Sequence, residues 1–182
     1  MGGLGATNIR HGTASAPVPV DVSDRVAREV GVAGSPGITI PVVPTISAAL
    51  YAINDNVGDL MTFAGAARGT GWGGVIKSLA IIDDASQSAQ LELWLFNQTF
   101  TAGVDNAVWT PVEAELENLV GILSTSDGIW YTGGAVATAC IVESSIRYDC
   151  LATSLFGRLV TRSAMTPAAV DDISVILGLL QD

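Results

Sequence analysis

The chain has 182 residues with a formal net charge of −10, and 49% of its side chains are hydrophobic while only 14% are charged. Soluble domains usually have about 25% charged residues, so part of this surface is expected to be apolar or buried against partner proteins. The acidic balance without a lysine or arginine cluster excludes direct nucleic-acid binding. The absence of an apolar run of about 18 residues excludes a membrane-spanning helix.

Residues 1–37 are predicted to form an extended N-terminal arm, because they are rich in Gly, Ala, Ser and Pro. Valines at a spacing of four between residues 21 and 32 indicate one or two helical turns within it. The arm either lacks a fixed structure in isolation or lies across a neighbouring subunit. In the second case its small apolar side chains are interface candidates, namely Val18, Val20, Val22 and Val26. The N-terminus lacks the basic and apolar segments of a secretory signal, so the chain is expected to stay where it is made.

Residues 38–182 are predicted to form one β-sandwich domain, because short apolar runs alternate with Gly, Asn, Asp and Ser clusters. Residues 38–43 form a strand that carries Pro41, which indicates either a sheet edge or a strand end. A second short strand is predicted at residues 60–63. Further strands are predicted at residues 129–131, 135–142, 146–151, 155–162 and 173–180.

The segments 75–82 and 90–96 are predicted to pair as a hairpin, since the polar residues 83–88 between them favour a turn. In the second segment three leucines alternate with Glu92, Trp94 and Phe96, so both faces of the strand are substantially apolar. Trp94 and Phe96 must then be covered by a loop, by the arm or by another subunit, which makes them interface candidates.

One short helix is predicted after residue 110. Thr110 is the expected N-cap, Pro111 the first helical residue and Glu113 the partner in a capping box. Residues 119–123 fit either the end of this helix or a strand, and we expect a short helix that leads into a strand.

Residues 51–63 begin with Tyr51 and Ala52, followed by Asp55 and Gly58 and then an apolar strand. Near the C-terminus, Leu-Val-Thr-Arg at 159–162 and Leu-Gln-Asp at 180–182 complete a pattern that extends over about residues 39–182. The pattern resembles the decoration (cement) proteins of tailed-bacteriophage capsids. The resemblance implies a jelly-roll-like antiparallel β-sandwich without catalytic residues or cofactors. It also implies a homo-oligomer, a trimer or alternatively a dimer, that is made in the bacterial cytoplasm and bridges major capsid proteins on the exterior of the virion.

The residues themselves offer little catalytic chemistry. The single histidine, His11, lies in the arm, so no Ser-His-Asp or Cys-His arrangement fits on a rigid scaffold. The adjacent carboxylates at 83–84 and 171–172 are expected to point in opposite directions or to be solvated in turns. We therefore expect a protein that is not an enzyme.

Three short patterns have alternative interpretations. The oxygen-rich residues 54–59 fit a Ca²⁺ loop or a tight turn, and the missing bidentate Glu favours the turn. Residues 69–74 lack the Lys of a phosphate-binding loop and are interpreted as a flexible loop with an exposed Trp72. Cys140 and Cys150 form either a disulfide or, as we favour, two small buried thiols, and no zinc motif includes them.

The tryptophans are packed in a core, anchor an interface, or stack on sugar rings. Trp72 and Trp130 are the interface candidates among those outside the segment 90–96. A carbohydrate- or receptor-binding jelly roll in which these two residues stack on sugar is accordingly the alternative function.

Overall fold

The computed structural model describes residues 37–101, 103–127 and 129–182, so the predicted arm lies outside the described residues, apart from Gly37. The described residues form two antiparallel sheets packed together, with one short helix, α1 (Glu113–Leu116). Their nine strands are β1 (Gly37–Val42), β2 (Asn56–Phe63), β3 (Gly73–Asp83), β4 (Leu91–Phe96), β5 (Leu119–Ser124), β6 (Ile129–Gly133), β7 (Val136–Asp149), β8 (Leu155–Thr161) and β9 (Ile173–Gln181). No helix in these ranges is long and apolar enough to cross a bilayer.

The strand order is that of a jelly roll with one added hairpin strand. The larger sheet has the order β1-β9-β3-β7-β6 and the smaller one β2-β8-β4-β5. Of the eight connections between the described strands, six carry the chain from one sheet to the other. This double Greek-key arrangement confirms the predicted jelly-roll-like, mostly β sandwich.

The core lies between the sheets and follows the alternation of side chains along each strand. In β4, Leu91, Leu93 and Leu95 are fully buried between the sheets. The other side of the same strand carries Phe96, which is also fully buried, together with the half-buried Trp94. The loop 97–118 covers this other side of β4. Its Trp109 packs with Phe96 in a separate apolar cluster on the outer face of the smaller sheet.

The edge position of β1 and the helix that leads into a strand are both as predicted. Pro41 lies in β1, which pairs only with β9 at one edge of the larger sheet. The predicted N-cap was wrong, since α1 starts after Val112 and not after Thr110. The cause is Glu115, whose carboxylate accepts a hydrogen bond from the backbone N–H of Val112 at 3.3 Å and so fixes where the first turn begins.

The predicted hairpin between residues 75–82 and 90–96 was wrong. β3 pairs with β7 and β9, whereas β4 pairs with β5 and β8 in the opposite sheet. The link holds a wide turn because the buried carboxylate of Asp83 accepts backbone hydrogen bonds from Gln87 at 2.7 Å and Ser88 at 2.8 Å. The turn carries the chain across the core, so the leucines of β4 face β3 instead of lying beside it.

The predicted strands 135–142 and 146–151 form one strand, β7, with an irregularity in the middle. The register with β3 shifts between Ile76 and Ser78, and Ser145 has a φ of 51°. Ser144 closes the gap, since its hydroxyl donates a hydrogen bond to the carbonyl of Ile76 at 2.6 Å. The Ser-Ser pair that suggested a break is therefore a bulge within a continuous strand.

Candidate interaction site

The connection from β1 to β2, residues 43–55, lies at one end of the sandwich beside the connection from β8 to β9, residues 162–172. Tyr51 and Met165 link the two through a pair of backbone hydrogen bonds, from the N–H of Tyr51 at 2.8 Å and from the N–H of Met165 at 3.3 Å. Both residues are buried, so the two loops form one packed structure.

Asp105 ties these loops to the long loop 97–118. Its carboxylate accepts a hydrogen bond from the Tyr51 hydroxyl at 2.8 Å and backbone hydrogen bonds from Ser47 at 3.0 Å and Gly58 at 2.6 Å. Burial raises the pKa of Tyr51 to about 12, so its hydroxyl stays protonated and can donate. One carboxylate thus fixes two backbone positions and the side chain of Tyr51.

Arg158, on the outer face of β8, stabilises the same loops. Its side chain is fully buried, and its guanidinium donates hydrogen bonds to the carbonyl of Gly58 and, at 3.1 Å, to the carbonyl of Gly103. Burial lowers the pKa of Arg158, and the nearby carboxylates of Asp59 and Asp105 oppose that shift. A buried cation of this kind is stable only because acceptors and negative charge surround it.

The pattern of Tyr51, Ala52, Asp55 and Gly58, called the Tyr51 motif below, consists of residues with structural roles. Asp55 is buried, and its carboxylate accepts the backbone N–H of Ala52 at 2.7 Å. Gly58 has a φ of +77°, and a Cβ at this position would lie 2.7 Å from Pro44. The segment is therefore a tight turn, and the described residues contain no group of three or more His, Cys, Asp or Glu side chains that could hold a metal ion.

This framework holds large apolar side chains out in solvent. Leu50 is 65% exposed and Ile53 is 59% exposed, on either side of the fully buried Tyr51. Three further exposed residues lie on the segments linked to it, so we define the apolar rim as Val43, Leu50, Ile53, Val108 and Val170. Because partly buried hydrogen bonds fix the loops that carry the rim, little conformational entropy is lost when a partner covers it.

Glu92 lies near the start of β4 in the smaller sheet, at the end of the sandwich that carries the rim. Its carboxylate accepts hydrogen bonds from Arg162 at 2.7 Å and from the indole of Trp94 at 3.0 Å. Arg162 also donates to the side-chain carbonyl of Asn54, within the loop that carries the rim. The hydrogen bond and charge of Arg162 hold the pKa of Glu92 below its ordinary value.

Replacing Glu92 with Gln is expected to reduce the loss of stability at low pH. Because the folded-state pKa of Glu92 is depressed, its contribution to stability is present above the unfolded-state pKa and is lost as the pH falls through the folded-state value. Both partners are partly exposed, so the contribution is expected to be below about 1 kcal/mol. Urea unfolding at pH 7 and pH 3 measures it, and an equal pH dependence in E92Q and the wild type would contradict the prediction.

The predicted interface residues fall into three groups. Val18, Val20, Val22 and Val26 lie outside the described residues. Trp72 is 52% exposed, at the end of the sandwich opposite the rim. The remaining three, Trp94, Phe96 and Trp130, are wholly or partly buried within the fold.

Two of these interface predictions require correction. Phe96 is fully buried against Phe100, with ring centroids 4.2 Å apart, so the loop 97–118 and not another subunit covers it. Trp130 pairs in register with the buried Ala139 and packs against the main core. Alternation along β6 places its side chain on the inner face of the larger sheet, which removes it from the surface set.

Trp72 and Trp130 do not form one sugar-stacking platform. Trp130 of β6 pairs with Ala139 of β7. Trp72 precedes Gly73, which pairs with Asp149, ten residues further along β7. Strands rise about 3.3 Å per residue, so the two indoles are separated by about 30 Å along the sheet. The loop that holds Trp72 is also anchored, since Trp72 and Cys150 share a 2.9 Å backbone hydrogen bond.

In each pair of adjacent carboxylates, 83–84 and 171–172, one side chain accepts hydrogen bonds from a loop at the rim end. Asp83 and Asp172 are buried, and Asp172 accepts the backbone N–H of Ala169 at 2.8 Å. Their neighbours Asp84 and Asp171 are exposed. Each pair therefore divides into one loop-capping carboxylate and one solvated carboxylate.

The cysteines do not form a disulfide. Cys150 is buried as expected, but Cys140 is exposed, so the prediction of two buried thiols was wrong for Cys140. Burial, together with the nearby Asp149, raises the pKa of Cys150 to about 11. The two thiols therefore differ in both access and ionisation.

A maleimide at pH 7 is expected to label the native protein at Cys140 only, giving one adduct per chain. The buried Cys150 thiol remains protonated at this pH and should react only after unfolding. Mass spectrometry of native and urea-treated samples tests this expectation, with Cys140→Ser as the control that should give no native adduct. Native labelling of Cys150 at a comparable rate would contradict it.

No family model, curated protein or solved structure matches the chain. The site is consequently defined by its own geometry. Sequence reasoning singled out Tyr51 and Gly58 through their spacing but missed Asp105, which is 54 residues from Tyr51 in the chain. The only sequence signal for the rim is that Ile53, a large apolar residue, precedes the turn-forming Asn54 and Asp55.

Proposed function

We propose that the protein is a structural protein of a tailed-phage virion, a decoration or cement protein that binds the outside of the head. In this role it stabilises contacts between major capsid proteins. The apolar rim is the observation that carries the proposal, because Leu50 and Ile53 are more than half exposed on loops that partly buried hydrogen bonds hold in place. Apolar residues displayed on a rigid framework are typical of protein contact sites.

The roles of the buried polar groups support binding over catalysis. The carboxylates of Asp83, Asp105 and Asp172 each accept backbone hydrogen bonds from loops. These groups shape the surface and are not arranged around a shared reactive cleft. A protein that binds only the assembled shell shifts the equilibrium toward that shell, which is the mechanism of a cement protein.

The phage assignment draws on the sequence resemblance and on the fold. Jelly rolls occur in viral capsid and lectin domains. The Tyr51 motif, which carries part of the resemblance, lies at the base of the rim. We accordingly propose the major capsid protein as the partner of the rim and the capsid exterior as the location, with the chain acting as a homo-oligomer.

The test is a binding assay with purified expanded heads of the matching phage. The double variant Leu50→Ser/Ile53→Ser should lower head affinity by at least about 30-fold, because two apolar contacts are lost. The matched control is Val112→Ser/Leu116→Ser, which removes two exposed apolar side chains, 58% and 37% exposed, from the α1 region. That control should bind as the wild type does.

Two results would contradict the proposal in different ways. If the wild-type protein neither binds expanded heads nor raises their resistance to heat, the capsid function fails. If the rim variant binds as well as the control, the rim is not the contact site.

A carbohydrate-binding jelly roll is the second candidate, supported by one observation. Trp72 is 52% exposed on an anchored loop, which suits stacking on a sugar ring. Glycan-array binding that disappears in Trp72→Ala but persists in the rim double variant would favour this function over the first.

A further inference from the structure

Negative charge is concentrated at the end of the sandwich that carries the apolar rim. The loops of this end contain six Asp and one Arg in residues 43–59, 83–90 and 162–172. The arginine, Arg162, already forms an ion pair with Glu92 at 2.7 Å. The rim therefore lies among carboxylates that no basic side chain of these loops neutralises.

The opposite end of the sandwich, which carries Trp72, has both signs of charge. Its loops contain Arg68 and no carboxylate within residues 64–72 and 150–154. The strand ends beside these loops carry Arg147, Asp149 and Asp182. β3 extends from one end to the other over 11 residues, so the two ends are about 30 Å apart. Since the Debye length is about 8 Å at physiological ionic strength, a partner at the rim is affected mainly by the charge of the rim end.

Two of the carboxylates at the rim end are not required by the hydrogen bonding of the fold. The buried Asp83 and Asp172 accept backbone hydrogen bonds from their loops. Their neighbours Asp84 and Asp171 are exposed, and their side chains accept no hydrogen bond from the described residues. The backbone N–H of Asp84 donates to the carbonyl of Asp172 at 2.8 Å, so the two turns lie side by side. Like charges in adjoining turns repel, so the exposed carboxylates do not stabilise the fold and can meet cations of a partner.

The exposed carboxylates and the apolar rim are carried by the same loops. Asp171 directly follows Val170, a rim residue that is 55% exposed. The carbonyl of Val170 accepts the backbone N–H of Ile46 at 3.1 Å, which joins this turn to the loop 43–55. A partner that covers the rim must therefore also approach these carboxylates.

We infer that the rim binds a basic protein surface, an apolar patch bordered by lysine or arginine side chains, and that the domain stands end-on on this surface with Trp72 facing away from it. The inference rests on the proposed function and specifies which part of a head surface the rim can contact. Protein interfaces combine an apolar centre with a polar border, and complementary charges at the border mainly set the association rate and the choice of partner. An acidic region of a head surface would repel this end of the domain.

The test measures association with immobilised expanded heads by surface plasmon resonance. The association rate constant of the wild type should fall at least about tenfold as NaCl is raised from about 20 mM to about 500 mM. The double variant Asp84→Lys/Asp171→Lys should associate about tenfold more slowly at the lower salt concentration, while its dissociation rate constant changes less than about threefold. The matched control is Asp149→Lys/Asp182→Lys, which changes the net charge equally at two exposed positions of the Trp72 end and should associate as the wild type does.

Thiol labelling on the heads tests the end-on orientation without the lysine variants. In a Cys140→Ser background, a maleimide should label Asp84→Cys at least about tenfold more slowly on heads than in solution. Arg68→Cys, at an exposed position of the Trp72 end, should be labelled at the same rate in both states.

The possible failures of this inference and of the capsid proposal are distinguishable. Head binding that is independent of salt, an equal loss of association rate in both double variants, or protection of Arg68→Cys on heads would each overturn the inference and leave the capsid function standing. If the wild type does not bind heads at any salt concentration, the capsid proposal fails and this inference fails with it.

Discussion

Replacing Asp105 with Ala is expected to lower the free energy of unfolding by about 2–4 kcal/mol. The change removes the acceptor of the Tyr51 hydroxyl and of the backbone N–H groups of Ser47 and Gly58. It also removes one of the two carboxylates that compensate the buried charge of Arg158. The N–H of Gly58 loses its acceptor, which costs about 1–3 kcal/mol, whereas Ser47 and Tyr51 still hydrogen-bond each other. Together with the weaker compensation of Arg158, the loss is a large part of a typical domain's stability.

Urea denaturation of D105A measures this loss, and the exposed Asp84 supplies the control. Asp84→Ala removes a carboxylate at the same end of the sandwich and should change stability by less than about 0.5 kcal/mol. D105A should also bind heads more weakly although Asp105 is not in the rim, because the loops that display Leu50 and Ile53 lose their anchor. A D105A protein within 1 kcal/mol of the wild type would show that the anchor is dispensable.

Replacing Gly58 with Ala is expected to cost about 3 kcal/mol through two separate causes. The φ of +77° disfavours any residue with a Cβ by about 1 kcal/mol or more. The added Cβ would also lie 2.7 Å from Pro44 and 3.1 Å from the carbonyl of Thr45, so the loop must shift. Thermal unfolding should show a drop in Tm of about 10 °C.

Gly65 separates the two causes. It has a φ of +73°, but a Cβ there would have no atom within 4 Å. Gly65→Ala should therefore show the backbone cost alone, about 1 kcal/mol, and the difference between the two variants gives the cost of the clash. Equal losses in both variants would mean that the contact with Pro44 relaxes freely.

The strands could be predicted from the sequence because side-chain alternation is a local property. Every second residue of β4 is a buried leucine. A proline within a strand, such as Pro41, is confined to edge strands and strand ends. The pairing of those strands could not be predicted in the same way. A polar segment such as 83–88 suits both a hairpin and a crossing between sheets, and the buried position of Asp83 that decides between them depends on the completed fold.

The candidate site was partly visible for the same reason. Tyr51, Asp55 and Gly58 lie within eight residues, and residues 54–59 were predicted to form a tight turn, but no contact site was predicted there. Asp105 has no local signature, because its role comes from a loop that folds back over the sheet. The side of β4 that carries Phe96 was predicted, but what covers that side was not, because alternation does not say whether a loop or a partner packs on it.

The position of β9 between β1 and β3 has a consequence for biosynthesis. β1 leaves the ribosome more than a hundred residues before the strand it pairs with, and β3 must likewise wait for β9. Until residues 173–181 are synthesised, both strands have unpaired edges, which are the elements that promote aggregation. Folding is therefore expected to be slow and to finish only after β9 has been synthesised, and a high concentration of nascent chains should favour misassembly over the native sandwich.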